Sequence, residues 1–245
     1  METSTFPNLH EVWTSVVKVT PSNKGMHVFS YLSLICILLC SCEGLVTLHG
    51  SQQTRSPLVN WYLLEQKIEF KQAPPRPNNH PFGQVPFLTD TDGNVEVFES
   101  GAILLYLADK YGGNNTPAQR ASYTKWIVWA NSELDALCFG ESDRGMTGTK
   151  IDKPDRKMDV LENLMSKSDW LVDNKFSVAD IAVASYLNYV PLFFGNVNPS
   201  GRKNMCKYML RAAERPAFAA AFGDDHAELI RSKAKGWVEG KKGLW

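Results

Sequence analysis

Short apolar runs and helical stripes alternate from residue 45 onward. LVTLHG (45–50) predicts a buried strand that ends at Gly50. SPLVNWYLLEQ (56–66) predicts a helix, with Leu58, Trp61, Tyr62 and Glu65 on one face. Ser56 is placed to cap it, and Pro57 suits its first turn. KIEFKQA (67–73) alternates Ile68, Phe70 and Gln72 against polar neighbours and predicts a second strand. A Pro-rich connector, APPRPNNHPFG (73–83), leaves no room for a long helix. VPFLTD (85–90) and VEVFES (95–100) predict two strands joined by the hairpin turn TDGN. Ile103, Leu104, Leu107, Ala108 and Tyr111 then repeat at helical spacing, with Ser100 as the natural N-cap. The order is β-α-β, connector, β-β-α.

The second half is helical. Tyr123, Trp126, Ile127, Ala130, Leu134 and Leu137 form one stripe over 116–139, opened by Thr116 and Pro117. Met158, Leu161 and Met165 fall in step over 153–168. In FSVADIAVASYLNYV (176–190), Ser177 and Asp180 make a capping box. Residues 202–222 predict helices broken at Pro216, and the mixed tail from His226 frays or folds back. The expected fold is an α/β unit over 44–113 followed by an all-α unit over 114–245.

Residues 1–43 differ in character. They join a Ser/Thr-rich stretch to HVFSYLSLICILLCSC, an apolar run shorter than the ~20 residues that span a bilayer. Secretory signal, transit segment and plain extension stay open for them. Membrane contact is expected only through residues 28–42. The folded body is expected in the cytoplasm, with targeting by residues 1–43 left open. The chain has 245 residues and no net formal charge, which argues against broad nucleic-acid binding. The cysteines Cys36, Cys40, Cys42, Cys138 and Cys206 form neither a disulfide framework nor a zinc spacing. Cys138 and Cys206 read as small buried apolar residues. No phosphate loop or ligand cluster points to a nucleotide or a metal.

Two places carry candidate chemistry. A proline opening a strand at Val85-Pro86 cannot donate to the ladder. If that bond is cis, the main chain of Val85 is open to pairing with a bound peptide; a trans proline starting an edge strand is the plainer alternative. At Glu99-Ser100 a helix N-terminus favours a carboxylate, and Glu99 can take an ammonium. An amino-acid head has both charges on one carbon. The plainer alternative is a simple N-cap.

FGQVPFLTD and VEVFESGAILLYLADKYG resemble the glutathione-binding half of the cytosolic glutathione S-transferases, and FSVADIAVASYL resembles the capping-box helix of their second domain. The resemblance covers residues 45 to about 225. It implies a thioredoxin-like domain followed by a helical domain, a cis bond before Pro86, main-chain pairing from Val85, and Glu99 with Ser100 holding the γ-glutamyl head. It places Gln84, with His80 as helper, at the glycine carboxylate. It implies a homodimer that uses glutathione as co-substrate, needs no other cofactor, and conjugates small apolar electrophiles or reduces organic peroxides.

The thiol is expected over GSQQTRSPLV (50–59), where the family's usual serine position holds Gln53 and no Tyr or Cys stands. Ser51, Thr54 and Ser56 compete as hydroxyl donors. Arg55 or main-chain N–H groups are the other candidates to stabilise a thiolate. The loop is similar to the arginine-containing loop of the cyanobacterial chi class. Tyr123, Trp126, Trp129 and Phe139 are considered for the electrophile's wall and also as ordinary core. A glutathione-dependent disulfide or dehydroascorbate reductase and a non-catalytic binding module are the rival readings.

Overall fold

The computed structural model describes residues 45–75, 80–113, 116–142 and 145–240. The apolar run, Cys36, Cys40 and Cys42, and part of the Pro-rich connector lie outside the described residues.

The first unit holds β1 (Val46–His49), α1 (Ser56–Glu65), β2 (Phe70–Ala73), β3 (Phe87–Asp90), β4 (Val95–Phe98) and α2 (Ser100–Tyr111). Its sheet runs β2-β1-β3-β4. β1 pairs parallel to β2 and antiparallel to β3, and β4 pairs antiparallel to β3. This is the predicted thioredoxin-like order. The strand expected over 67–73 starts only at Phe70. The preceding residues close α1 instead: Lys67 takes φ +54°, and its N–H and that of Ile68 donate to the carbonyls of Leu64 and Leu63 at 3.2 and 2.9 Å. That is a Schellman stop built on lysine rather than glycine.

The helical unit follows with α3 (Pro117–Trp129), a π-helical turn (Ala130–Leu134), α4 (Asp135–Cys138), a hairpin of β5 (Gly140–Ser142) and β6 (Gly145–Gly148), then α5 (Arg156–Met165), α6 (Val178–Phe193), α7 (Lys203–Ala213), α8 (Pro216–Phe222) and α9 (Asp224–Glu239). Thr116 opens α3 as expected: it accepts from Gln119 N–H at 3.2 Å, and Gln119 Oε1 accepts from Thr116 N–H at 2.9 Å. The tail from His226 is helical through Glu239, with Ile230, Ala234 and Trp237 buried; residues 241–245 lie outside the described residues. Cys138 and Cys206 are buried free thiols, both with pKa raised by burial.

One apolar cluster runs through both units, from Val46 and Leu48 through Trp61 and Leu107 to Leu187 and Ile230. At its helical end Asp180 is fully buried. Its carboxylate accepts from the N–H groups of Leu171 and Ser177 at 2.9 and 3.0 Å and from the hydroxyls of Ser177 and Tyr208, both at 3.1 Å. Burial outweighs these donors and lifts the carboxyl to about 6. An unfolded aspartate titrates near ~4, so the folded chain holds this proton more tightly. The contribution to stability is full below about pH 4 and is lost as pH rises through the folded pKa. From about pH 4 to about pH 7, the unfolding free energy of Asp180→Asn should gain about 2 kcal/mol relative to wild type, measured by urea titration at each pH.

Candidate functional site

The ladder register gathers three distant segments at one end of the sheet. His49 at the close of β1 sits opposite Phe87, and Phe87 sits opposite Phe98. The loop after β1, the residues before β3 and those after β4 therefore emerge side by side.

The first segment is Gly50 to Ser56. A Cβ on Gly50 would lie 2.2 Å from Ser56 Oγ, so only glycine lets that hydroxyl tuck beneath the loop. Ser56 was expected to cap α1. It is instead the first helical residue, with Arg55 at the cap position and no side-chain cap bond. Its hydroxyl is hydrogen-bonded to Thr54 Oγ1 at 2.8 Å, and its N–H donates to the same oxygen at 3.1 Å. Thr54 also reaches the Ser51 carbonyl at 2.7 Å. The hydroxyls of Thr54 and Ser56 thus tie the loop to itself. Ser51, Gln52 and Gln53 are exposed, and Ser56 is buried.

The second segment is the turn into β3. Val85-Pro86 is a cis peptide bond. Among the described residues, nothing hydrogen-bonds the main-chain N–H or C=O of Val85. His80 is buried; its Nδ1 accepts from Phe82 N–H at 2.9 Å, and its ring packs on Phe87 and Phe98. It shapes the turn, while Gln84 is exposed.

The third segment is Glu99-Ser100. Ser100 was expected as the N-cap of α2 but is its first residue; Glu99 holds the cap position without a side-chain cap bond. The reason is the backbone of Glu99, at φ +67° and ψ 121°. That conformation is rare for an L residue and costs on the order of 1–3 kcal/mol. It leaves the Glu99 side chain exposed above the helix mouth and buries Ser100. Ser100 Oγ donates to Asn131 Oδ1 at 3.1 Å, and Tyr186 donates its hydroxyl to the same oxygen at 2.9 Å.

The helical unit supplies the far wall. Arg55 pairs with Asp135 and lies over the rings of Tyr186 and Phe139, 4.7 and 5.3 Å from their centroids. Burial raises the Asp135 carboxyl and Arg55 opposes that rise. Tyr189 donates to the Thr54 carbonyl at 2.7 Å, and Gln52 Nε2 donates to the Ala221 carbonyl at 2.9 Å. Of the four aromatic residues considered for this wall, Phe139 lies against the loop; Trp126 and Trp129 line a separate apolar cavity with Val160 and Leu164. Asn131, Asp135, Tyr186 and Tyr189 were not foreseen. The one sequence signal was Asn131 itself, a polar residue beside the apolar stripe over 116–139.

The N-terminal domain model of glutathione S-transferases matches residues 46–109, and the C-terminal domain model matches residues 127–216. Glutathione S-transferase GstB of Escherichia coli (strain K12) is 30% identical over 153 residues, covering 56% of this chain and 73% of that protein. The chain belongs to the glutathione S-transferase family. Glutathione S-transferase 1 of Schizosaccharomyces pombe is 29% identical over 168 residues, 62% of this chain and 70% of its own. Among solved structures, a glutathione transferase from Methylococcus capsulatus superposes with a TM-score of 0.61 at 20% identity, covering 74% of this chain and 98% of that one. Ure2p in complex with glutathione gives 0.59 at 20% identity, with 78% and 98% covered. These structural likenesses establish the transferase fold. Among the described residues, no cluster of three or more His, Cys, Asp or Glu is placed to hold a metal, and no helix is long and apolar enough to cross a membrane.

Relieving the strain at Glu99 should stabilise this transferase chain. Glu99→Gly is expected to raise the unfolding free energy by about 1 kcal/mol, and Glu99→Ala to leave it nearly unchanged, read from urea midpoints.

Proposed function

We propose that the chain is a glutathione transferase that lays the tripeptide across this end of the sheet. The carrying observation is the register. It sets the unpaired main chain of Val85 beside the exposed Glu99 carboxylate and the open N-terminus of α2. A peptide backbone needs the first, and a zwitterionic head needs the other two. Family membership supports the reading, as does the solution of Ure2p with glutathione.

In this reading Val85 pairs with the cysteinyl main chain as an added strand would. Glu99 takes the α-ammonium, and the amides of α2 take the α-carboxylate. Ser100 turns its hydroxyl from Asn131 to that carboxylate. Gln84 reaches the glycine carboxylate, and His80 and Pro86 hold the turn that presents Val85. The thiol then lies over the loop at the mouth of α1.

A free thiol ionises near ~8.5, so the site must favour the anion. Thr54 and Ser56 are tied to each other, which leaves main-chain N–H groups, the exposed Ser51 hydroxyl and the Arg55 charge as its candidate stabilisers. The thiolate sulfur attacks an electrophilic carbon and the leaving group departs with its electron pair. Small apolar electrophiles suit a wall that includes Phe139, and organic peroxides are the second substrate class. A reductase working through a protein mixed disulfide needs an exposed thiolate. Both described cysteines are buried with raised pKa, which favours conjugation. The family also supports a homodimer, which sedimentation of the purified chain reads directly.

Calorimetry with glutathione tests the reading. Wild type should bind, and Glu99→Ala and Ser100→Ala should each weaken binding by about tenfold, the loss of one charge-assisted hydrogen bond. Initial rates with a chloro-dinitrobenzene should fall in step. A wild-type chain that gives no heat with glutathione sinks the proposal; binding without turnover of that substrate or an organic hydroperoxide reduces it to a binding module.

A further inference from the structure

We infer that Tyr189, on α6, is a positioning residue that aims the main-chain N–H of Arg55 at the reacting sulfur; the inference rests on the transferase reading above. Tyr189 is 2% exposed, and its hydroxyl donates to the Thr54 carbonyl at 2.7 Å. That carbonyl and the Arg55 N–H belong to one peptide group. A trans peptide is planar, with its C=O and N–H pointing opposite ways. Fixing the carbonyl toward α6 therefore fixes the Arg55 N–H toward the opposite side of the loop. Among the described residues that N–H has no partner, whereas the next one, on Ser56, is taken by Thr54.

The surroundings make this hydroxyl the control point. On one flank the Thr54 side chain is bonded to Ser51 and Ser56. On the other the Arg55 guanidinium is held by Asp135 and lies over Tyr186. With both flanks tethered, the remaining freedom is rotation of the peptide plane between them, and Tyr189 stops it. Its ring is in turn fixed edge-on against Phe222 at 5.2 Å and lies tilted against His226 at 5.5 Å. His226 Nε2 meets the Asn188 carbonyl at 2.9 Å, so the support itself is anchored. A donor aimed in advance at a sulfur acts more strongly on the thiolate than on the thiol. Tyr189 thus acts on ionisation of the ligand rather than on its capture, which belongs to Val85, Glu99 and Ser100.

The test follows the thiolate absorbance of bound glutathione against pH. Tyr189→Phe keeps the ring and removes the bond. It should raise the pKa of the bound thiol by about one unit and lower kcat/KM roughly tenfold below that pKa. Binding at low pH, where the thiol is protonated in every variant, should change by no more than about twofold. Arg55→Pro deletes the N–H itself at a φ of −79° that proline adopts. Compared with Arg55→Ala, which keeps the N–H, it should give the same upward shift, and this pair serves if Tyr189→Phe folds poorly. Tyr106→Phe removes a hydroxyl bonded to Asp90 at the other end of β3 and should shift nothing. An unchanged thiol pKa in Tyr189→Phe, or weaker binding at every pH with the pKa unmoved, overturns the inference while leaving the transferase reading in place. Failure of the wild type to bind glutathione overturns both.

Discussion

Trp61 is the pivot of the molecule. It belongs to α1, yet its ring has no exposure and packs against Phe176, Phe218 and Phe222 of the helical unit. Its indole N–H donates to Glu65 at 2.9 Å. Glu65 in turn receives Arg215 through two parallel bonds at 2.6 and 2.7 Å, and that guanidinium lies 3.6 Å from the centroid of Phe176. A forked, partly shielded pair of this kind holds direction as well as distance. Separating the units would expose a tryptophan face and strand a carboxylate. Burial of such a ring alone is worth about 2–3 kcal/mol.

Because this seam fixes α1, it also fixes the loop that leads into α1. The loop borrows its shape from residues more than a hundred positions away. Ala221 takes the Gln52 amide and Tyr189 holds the Thr54 carbonyl. The π-helical turn makes the matching adjustment on the other side. A wider turn slows the helical repeat locally, and Asn131 within it meets both Ser100 and Tyr186. A single oxygen thereby joins the first residue of α2 to the ring beneath Arg55.

Much of this was legible in the sequence because it rests on local chemistry. The TDGN turn, the Thr116 cap, the Ser177-Asp180 capping box, the Met158-Leu161-Met165 stripe and the break at Pro216 are each decided within a few residues, and each stands where the pattern put it. Ser56 and Ser100 read as caps, yet both sit one residue deeper: Ser56 is bonded to Thr54 within its own loop, and the left-handed backbone of Glu99 carries Ser100 into the helix, where Asn131 takes its hydroxyl. Lys67 read as the start of a strand, since a left-handed helix stop without glycine leaves no compositional mark. Tyr186 and Tyr189 were invisible as site residues because aromatic positions on a buried helix look alike until the fold shows what their hydroxyls meet.

The contact between Gly50 and Ser56 bears on how such a scaffold changes its chemistry over time. A side chain at position 50 and an inward side chain at position 56 would compete for one space, so the two positions can change only together. Positions 51 to 53 are exposed, but the Gln52 amide is held by the Ala221 carbonyl and Gln53 sits at φ +64°, which leaves Ser51 free of both restraints. A scaffold of this kind therefore keeps glycine at the end of its first strand for as long as the opening residue of its first helix points inward, and new chemistry enters most easily at the exposed start of the loop.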